Sequence, residues 1–451
     1  MWWVTAALAM TPLTPIVEDF ERAVATWMPA TCAPIAEEWY QTLENLDPAQ
    51  VDAADAAAHA EALVQSVVRT RGRLQDDLTR WDAAQTLPDA CVTGIRRADL
   101  AGRYLIDHLT PLLPPERRAI WRTASGAAFA PRAALRTGDV LVTRATWISS
   151  AGIAHMGRID SQFSHNALVY RDPEGVLWVT EAYLERGAIV EPLETFLASG
   201  LGRVVVMRHA DATLAEAAGT AAFQRVATGR PIPYDDHLDA NDPSALFCSE
   251  IARWAYGSLI DRPTDIPRFP TTFPRTENPG MFQEMAIAGD LYTAPADLLF
   301  DPRFSLVAEW RDPQTLEAMR RDDAVVESAM RWLEEDGYTL DIRFVDRATV
   351  AFGRSLRRTP LLGRLVADQI SPNADLRFYA ASLALQTAAL ALREALTEAL
   401  ADWSAPTPPA YRALRATLES IREDDLARWR IAPSEARFHG ILRPPEAEPA
   451  R

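Results

Sequence analysis

The chain has 451 residues and a mass of 49.9 kDa; 48% of its residues are hydrophobic and 24% charged, a make-up that supplies a sizeable core and excludes disorder as the main state. Its 46 basic residues stand against 62 acidic ones, a net charge of -16, so a broad phosphate-binding surface is excluded and no nucleic-acid partner is expected. All the basic residues are arginine; without a lysine, a Walker A loop, a kinase ATP site and a Schiff-base enzyme are excluded in their usual forms.

The pattern divides the chain into an N-terminal helical region (1–131), an α+β region (132–293) and a C-terminal helical region (294–451). The start, MWWVTAALAM, is apolar as far as Ile16. It lacks a basic residue in front, and its small-x-small stretch Ala7-Leu8-Ala9 comes too early for a cleavage site. This segment is expected to pack on the helices that follow, with a secretory signal left open. A cytoplasmic location is favoured on that ground, and export stays open. Asp47-Pro48 reads as a helix start, followed by Leu63, Val67, Leu74, Leu78 and Trp81 at helical spacing. Tyr104 to Leu113 continues the trend to the Pro114-Pro115 break.

The period then changes. Residues 138–144, 164–170, 175–182 and 202–209 read as short strands rich in β-branched residues. A helix is predicted over 214–227, then a loop rich in Pro and Asp over 229–243, then a helix carrying Cys248. From about Ala294 the helical period is expected to return. Leu385, Ala389, Leu392, Leu396, Ala399 and Trp403 form one stripe, and Tyr411, Leu414, Leu418 and Ile421 another. No segment reaches the roughly 18 apolar residues of a membrane span. The segment 352–365, FGRSLRRTPLLGRL, is basic and apolar in an acidic chain. It is expected to be a solvated helix end, and a peripheral membrane contact stays open.

Of the three cysteines, Cys32 and Cys91 are candidates for pairing in an oxidising compartment, which leaves Cys248 as a candidate reactive thiol. No CxxC pair and no HExxH exist, so no metal and no cofactor are expected. The strands 164–170 and 175–182 form a hairpin. With its turn centred on Pro173, Leu168 faces Trp178 and His165 faces Glu181. His165 and Glu181 then share a face with Ala167, Val169, Leu177 and Val179. Cys248 is expected in the first turn of its helix with Ser244 as N-cap, where the helix N-terminus and a nearby imidazolium favour the thiolate. Taken separately, a His–Glu pair at a sheet end and a lone cysteine on an apolar stripe also suit purely structural roles. His155, in a helix between strands, and His237, in the loop, are further residues for the pocket wall.

Together Gly138-Asp139, Ser164-His165, Glu181-Ala182, the run Gly229 to Tyr234 and Phe247-Cys248-Ser249-Glu250 resemble the permuted NlpC-type cysteine hydrolases, the YiiX/YebB-like group. The resemblance covers about residues 136–260. It implies a permuted papain-like domain with a small antiparallel sheet, flanked here by helical regions. It also implies Cys248 as nucleophile, His165 as base, Glu181 as the residue that orients the imidazole, and Tyr234 lining the site. The run Gly-Arg-Pro-Ile-Pro-Tyr is longer than the family's, which puts the role of Tyr234 in question. The expected function is cleavage of an amide, ester or thioester through an acyl-enzyme, on a peptide, cell-wall peptide or acyl lipid. An acyltransferase with the same residues and a non-catalytic binding module are the alternatives.

Overall fold

The structure is a computed structural model. It describes residues 11–44, 51–157, 161–273, 279–285, 287, 291–359, 363, 366, 370–371, 373–403, 409 and 411–445. The apolar start Met1–Met10, the Asp47-Pro48 pair and most of the proline loop ahead of Tyr411 lie outside those residues.

The N-terminal region is a helical layer of α1 (Leu13–Thr26), α2 (Cys32–Glu44), α3 (Ala53–Ala83) and α4 (Asp89–Leu109). Asp52 caps α3 by accepting the Ala54 and Asp55 N–H groups. Leu63, Val67, Leu74, Leu78 and Trp81 are all buried, as their spacing predicts. Cys32 and Cys91 are joined as a disulfide between α2 and α4, with Cα atoms 5.6 Å apart.

The fold is α+β around one antiparallel sheet. The strands are β1 (Val140–Ala145), β2 (His165–Arg171), β3 (Leu177–Tyr183), β4 (Gly187–Pro192), β5 (Leu201–His209) and β6 (Phe304–Arg311), in the order β4-β3-β2-β1-β5-β6. Helix α5 (Ile148–His155) follows β1, α6 (Ala212–Thr228) follows β5, and α7 (Glu250–Ser258) precedes β6. Two of these strands depart from the sequence expectation. The short strand β4 was not separated from the loop around it. β6 lies in the region expected to be helical, yet it pairs with β5 along the edge, for example Val205 with Glu309. A six-stranded sheet needs that edge covered, and a distant segment supplies it.

Alternation along the strands divides the core in two. Leu141, Ala167, Val169, Leu177, Val179, Val204 and Val206 pack with Leu193 and Phe196 on one side. Val140, Val142, Leu168, Val205 and Met207 pack with the N-terminal helices and with Ile251 and Ala255 of α7 on the other. Tyr256 of α7 donates its hydroxyl to the Gly138 carbonyl at 2.9 Å. Gly138 itself has φ +87°, and a Cβ there would lie 2.3 Å from the Ala215 carbonyl oxygen, so only glycine lets α6 approach.

The C-terminal region contributes α8 (Leu316–Glu334), α9 (Phe344–Arg357), α10 (Leu376–Ala399) and α11 (Tyr411–Ile431). Ala389, Leu392 and Leu396 of α10 and Leu414 and Leu418 of α11 are buried in a third cluster. Trp403 lies past the end of α10 and is exposed. α9 leaves Phe344, Val345 and Phe352 in solvent. Among the described residues no helix is long and apolar enough to cross a membrane.

A chain of buried ion pairs ties the three regions together. It runs Arg103–Asp99–Arg71–Glu309–Arg311–Asp107–Arg203–Asp323–Arg144, with contacts such as 2.6 Å for Arg71–Asp99, 2.7 Å for Arg311–Asp107 and 2.7 Å for Arg144–Asp323. Its members come from α3, α4, β1, β5, β6 and α8. Burial opposes the Glu309 charge, but Arg311 and Arg71 outweigh it and bring its pKa down to about 2. The same balance, led by Arg144, holds Asp323 well below the usual carboxylate range.

Candidate active site

The hairpin that carries His165 and Glu181 turns on Glu174, not Pro173. Asp172 pairs with Val176, Gly175 adopts φ +86°, and the Asp172 carboxylate accepts the Val176 N–H and the Trp178 indole N–H. This is a three-residue hairpin loop with glycine at its left-handed position. The observed register is Leu168 with Thr180 and Tyr170 with Trp178. His165 therefore faces Tyr183, and Glu181 is its diagonal neighbour rather than its direct partner. The partner has moved by two residues, so the face is unchanged. His165 Nε2 lies 2.7 Å from Glu181 Oε2, and Glu181 is fully buried.

The backbone ahead of α7 differs from the expectation as well. The helix starts at Glu250, and Ser244 is not its N-cap. Leu246 is occupied in another way: its N–H donates to the Pro233 carbonyl, and its carbonyl accepts from the Asp235 N–H. A residue so paired is unavailable to a helix. Phe247 N–H then donates to the Glu250 carboxyl at 3.1 Å, while the Glu250 N–H returns to the Phe247 carbonyl at 3.0 Å. This reciprocal pair resembles a capping box and fixes the turn that holds Cys248 just before the helix. Burial pushes the Glu250 carboxyl up to about 9, so at neutral pH it is uncharged.

Cys248 is buried and is the free thiol among the described cysteines. Its sulfur donates to the Ser164 carbonyl at 3.4 Å, lies 3.9 Å from the Tyr234 hydroxyl that donates to it, and is near enough to the His165 imidazole to influence its charge. Burial by itself works against an imidazolium at His165. The hydrogen bonds and charges of Cys248 and Glu181 outweigh it and hold the His165 pKa up at about 10.

Tyr234 is brought in by the lengthened Gly229–Tyr234 run. Ile232 is buried, and its carbonyl accepts the Ala188 N–H at 2.9 Å, which extends the sheet beyond β4. Gly187 permits this: it has φ +72°, and a Cβ there would lie 2.1 Å from that same carbonyl oxygen. The added Ile-Pro is thus the segment that docks on the edge strand and delivers the tyrosine to the thiol.

Sequence reasoning missed Glu191. It lies on β4 opposite Val179, diagonal to Glu181 on the same face. Burial, followed by the charge and hydrogen bonding of Glu181, pushes the Glu191 carboxyl up to about 7. Glu181 Oε1 has no hydrogen-bond partner among the described residues. Tyr183 stacks on His165 with ring centroids 5.4 Å apart and carries the Arg186 guanidinium 4.6 Å above its own ring. The signal in the sequence was the alternation Ile189-Val190-Glu191 after Gly187, a second hairpin. His155 does not join the site; it lies 3.7 Å from Asp323 at the end of the ion-pair chain. His237 stays in the loop ahead of Cys248, where its N–H donates to Asp235. Comparison of the chain with family models, curated proteins and solved structures gives no match.

Proposed function

We propose that the protein is a cysteine hydrolase in which Cys248 is the nucleophile, His165 the acid and base, and Glu181 the residue that orients the imidazole. The observation that carries this reading is the His165 imidazole, 2.7 Å from the buried Glu181 carboxylate and beside the buried Cys248 thiol that helps to keep it charged. An adjacent imidazolium favours the thiolate, the nucleophilic form of a cysteine, at neutral pH. A chain order with the histidine strand ahead of the nucleophile agrees with a permuted papain-like fold for residues 132–293 together with the edge strand β6, and we assign that fold with the function.

The thiolate attacks an acyl carbonyl, and a carbon–sulfur bond forms. The Cys248 N–H and the Tyr234 hydroxyl are the donors placed to receive the oxyanion. The His165 imidazolium gives its proton to the departing amine or alcohol as that bond breaks. The neutral imidazole then takes a proton from water, whose oxygen displaces the sulfur from the acyl carbon. The acid leaves, and thiolate and imidazolium are restored.

The test is alkylation of Cys248 by iodoacetamide at about pH 6, where an unassisted thiol with pKa near 8.5 is almost fully protonated. Fast alkylation that collapses in His165→Ala is the expected result. A slow reaction that is the same in both proteins removes the activated thiol. A panel of amide, ester and thioester acyl donors then identifies the bond, and turnover retained by Cys248→Ala ends the hydrolase reading.

A further inference from the structure

Apart from the thiol site, the helical regions enclose a cavity of about 720 Å³ between α4 on one side and α8 and α11 on the other. This is the size range of a small-molecule site. Leu43, Leu105 and Met330 line it, and Tyr104 and Tyr411 face each other at its wall with ring centroids 5.2 Å apart.

Arg320 of α8 also lines this cavity and is only 8% exposed. Its Nη2 makes a 3.4 Å contact with the Pro409 carbonyl, and its Nε has no acceptor among the described residues. The carboxylate that attracts it most, Asp107, has both oxygens engaged by Arg203 and Arg311. The chain of buried ion pairs beneath contains five guanidiniums (71, 103, 144, 203 and 311) and four carboxylates (99, 107, 309 and 323). Arg320 stands beside this chain without an ion-pair partner among the described residues. A buried cation without a counter-charge is costly. Four carboxylates also line the cavity, at Glu327, Glu334, Glu335 and Glu419; Glu419 is held by Arg331 and Glu327 by Arg415, and none is ion-paired with Arg320 among the described residues. Next to Arg320 the His108 imidazole is pushed down to about 4, by burial first and by Arg320 second, and is neutral.

We propose that this cavity binds a small organic carboxylate with an apolar body, its head on the Arg320 guanidinium and its chain along Leu43, Leu105 and Met330. The planar guanidinium matches a carboxylate bidentately. With His108 neutral, Arg320 is a buried cation of the wall that lacks an ion-pair partner among the described residues, so a head with one negative charge suits it. This proposal stands apart from the thiol site and survives if that reading fails.

The test uses the full chain carrying Cys248→Ala, so that no thiol chemistry intervenes, with dodecanoate below its micelle concentration as the probe and calorimetry as the readout. Dodecanoate is expected to bind with micromolar Kd, and dodecanol, with the same chain and no charge, is not. Arg320→Met and the cavity-filling Met330→Trp are each expected to weaken dodecanoate at least about tenfold. No dodecanoate binding, or equal binding of dodecanol, overturns the proposal, as does equal binding by Arg320→Met. Tighter binding of dodecyl phosphate overturns the carboxylate assignment. If Arg320→Met fails to fold, Met330→Trp and the dodecanol comparison decide.

Discussion

Two of the buried charge clusters in this protein are built on opposite rules. In the chain from Arg103 to Arg144 each carboxylate stands between guanidiniums, and Glu309 is driven down to about 2. Around His165 two carboxylates, Glu181 and Glu191, meet each other and share one imidazole, and the Glu191 and His165 pKa values rise to about 7 and about 10. The first arrangement locks its protons in place and joins helices to sheet. The second leaves Glu191 able to change protonation near neutral pH and holds His165 as an imidazolium with a proton to give, which acid–base chemistry can use. A buried ionic cluster is therefore informative about function only once its balance of charge is known.

The comparison is broken most strongly at the imidazole. His165→Ala is expected to lower turnover by about 10²–10⁴-fold, measured as kcat/KM on a confirmed acyl donor. Glu181→Gln keeps a hydrogen-bond acceptor and is expected to lose less than His165→Ala. It removes the charge that stabilises the imidazolium, so the alkaline limb of its pH–rate profile should begin below the wild-type value of about 10. A greater loss than that of His165→Ala contradicts the orienting role.

On the structural side, Glu309→Gln is expected to cost about 3 kcal/mol or more in urea unfolding, because it leaves Arg71 and Arg311 buried with less than their counter-charge. The folded pKa of Glu309 is depressed from 4.5 to about 2. Its stabilisation is thus present above the unfolded value and lost as pH falls through the folded one, and the variant should show a flatter acid limb over that window. Unchanged stability in Glu309→Gln would remove the ion-pair chain as a structural tie.

The smallest effect is expected at Glu191. Its folded pKa of about 7 is above the ordinary 4.5, so its contribution is favourable below the unfolded value and is lost as pH rises through the folded one. Glu191→Gln should therefore be more stable than the parent chain at about pH 8 and no more stable at about pH 4.5. Equal stability at both would mean that Glu191 does not share a proton with Glu181.

Local patterning carried much of this protein. The helical stripes of α3, α10 and α11 and the strands β1, β2, β3 and β5 follow from the spacing of apolar residues, which neighbours along the chain enforce. The nearness of His165 and Glu181 was legible for the same reason: strand alternation keeps them on one face even though the turn centre, and with it the direct partner, was misplaced by one residue. Where the chain forms contacts between distant segments, the sequence was silent. β6 has no local mark that distinguishes a sheet edge from a helix. The start of α7 depends on Leu246 pairing with Pro233 and Asp235 across a loop. Glu191 and the alternating arginines take on meaning only through partners brought up from other elements. Periodicity is a property of consecutive residues, so the sequence by itself determined the elements, their buried faces and the residue types available for chemistry. Register, charge pairing and protonation depend on which of those faces meet at ångström distances, and the tertiary structure alone decided that.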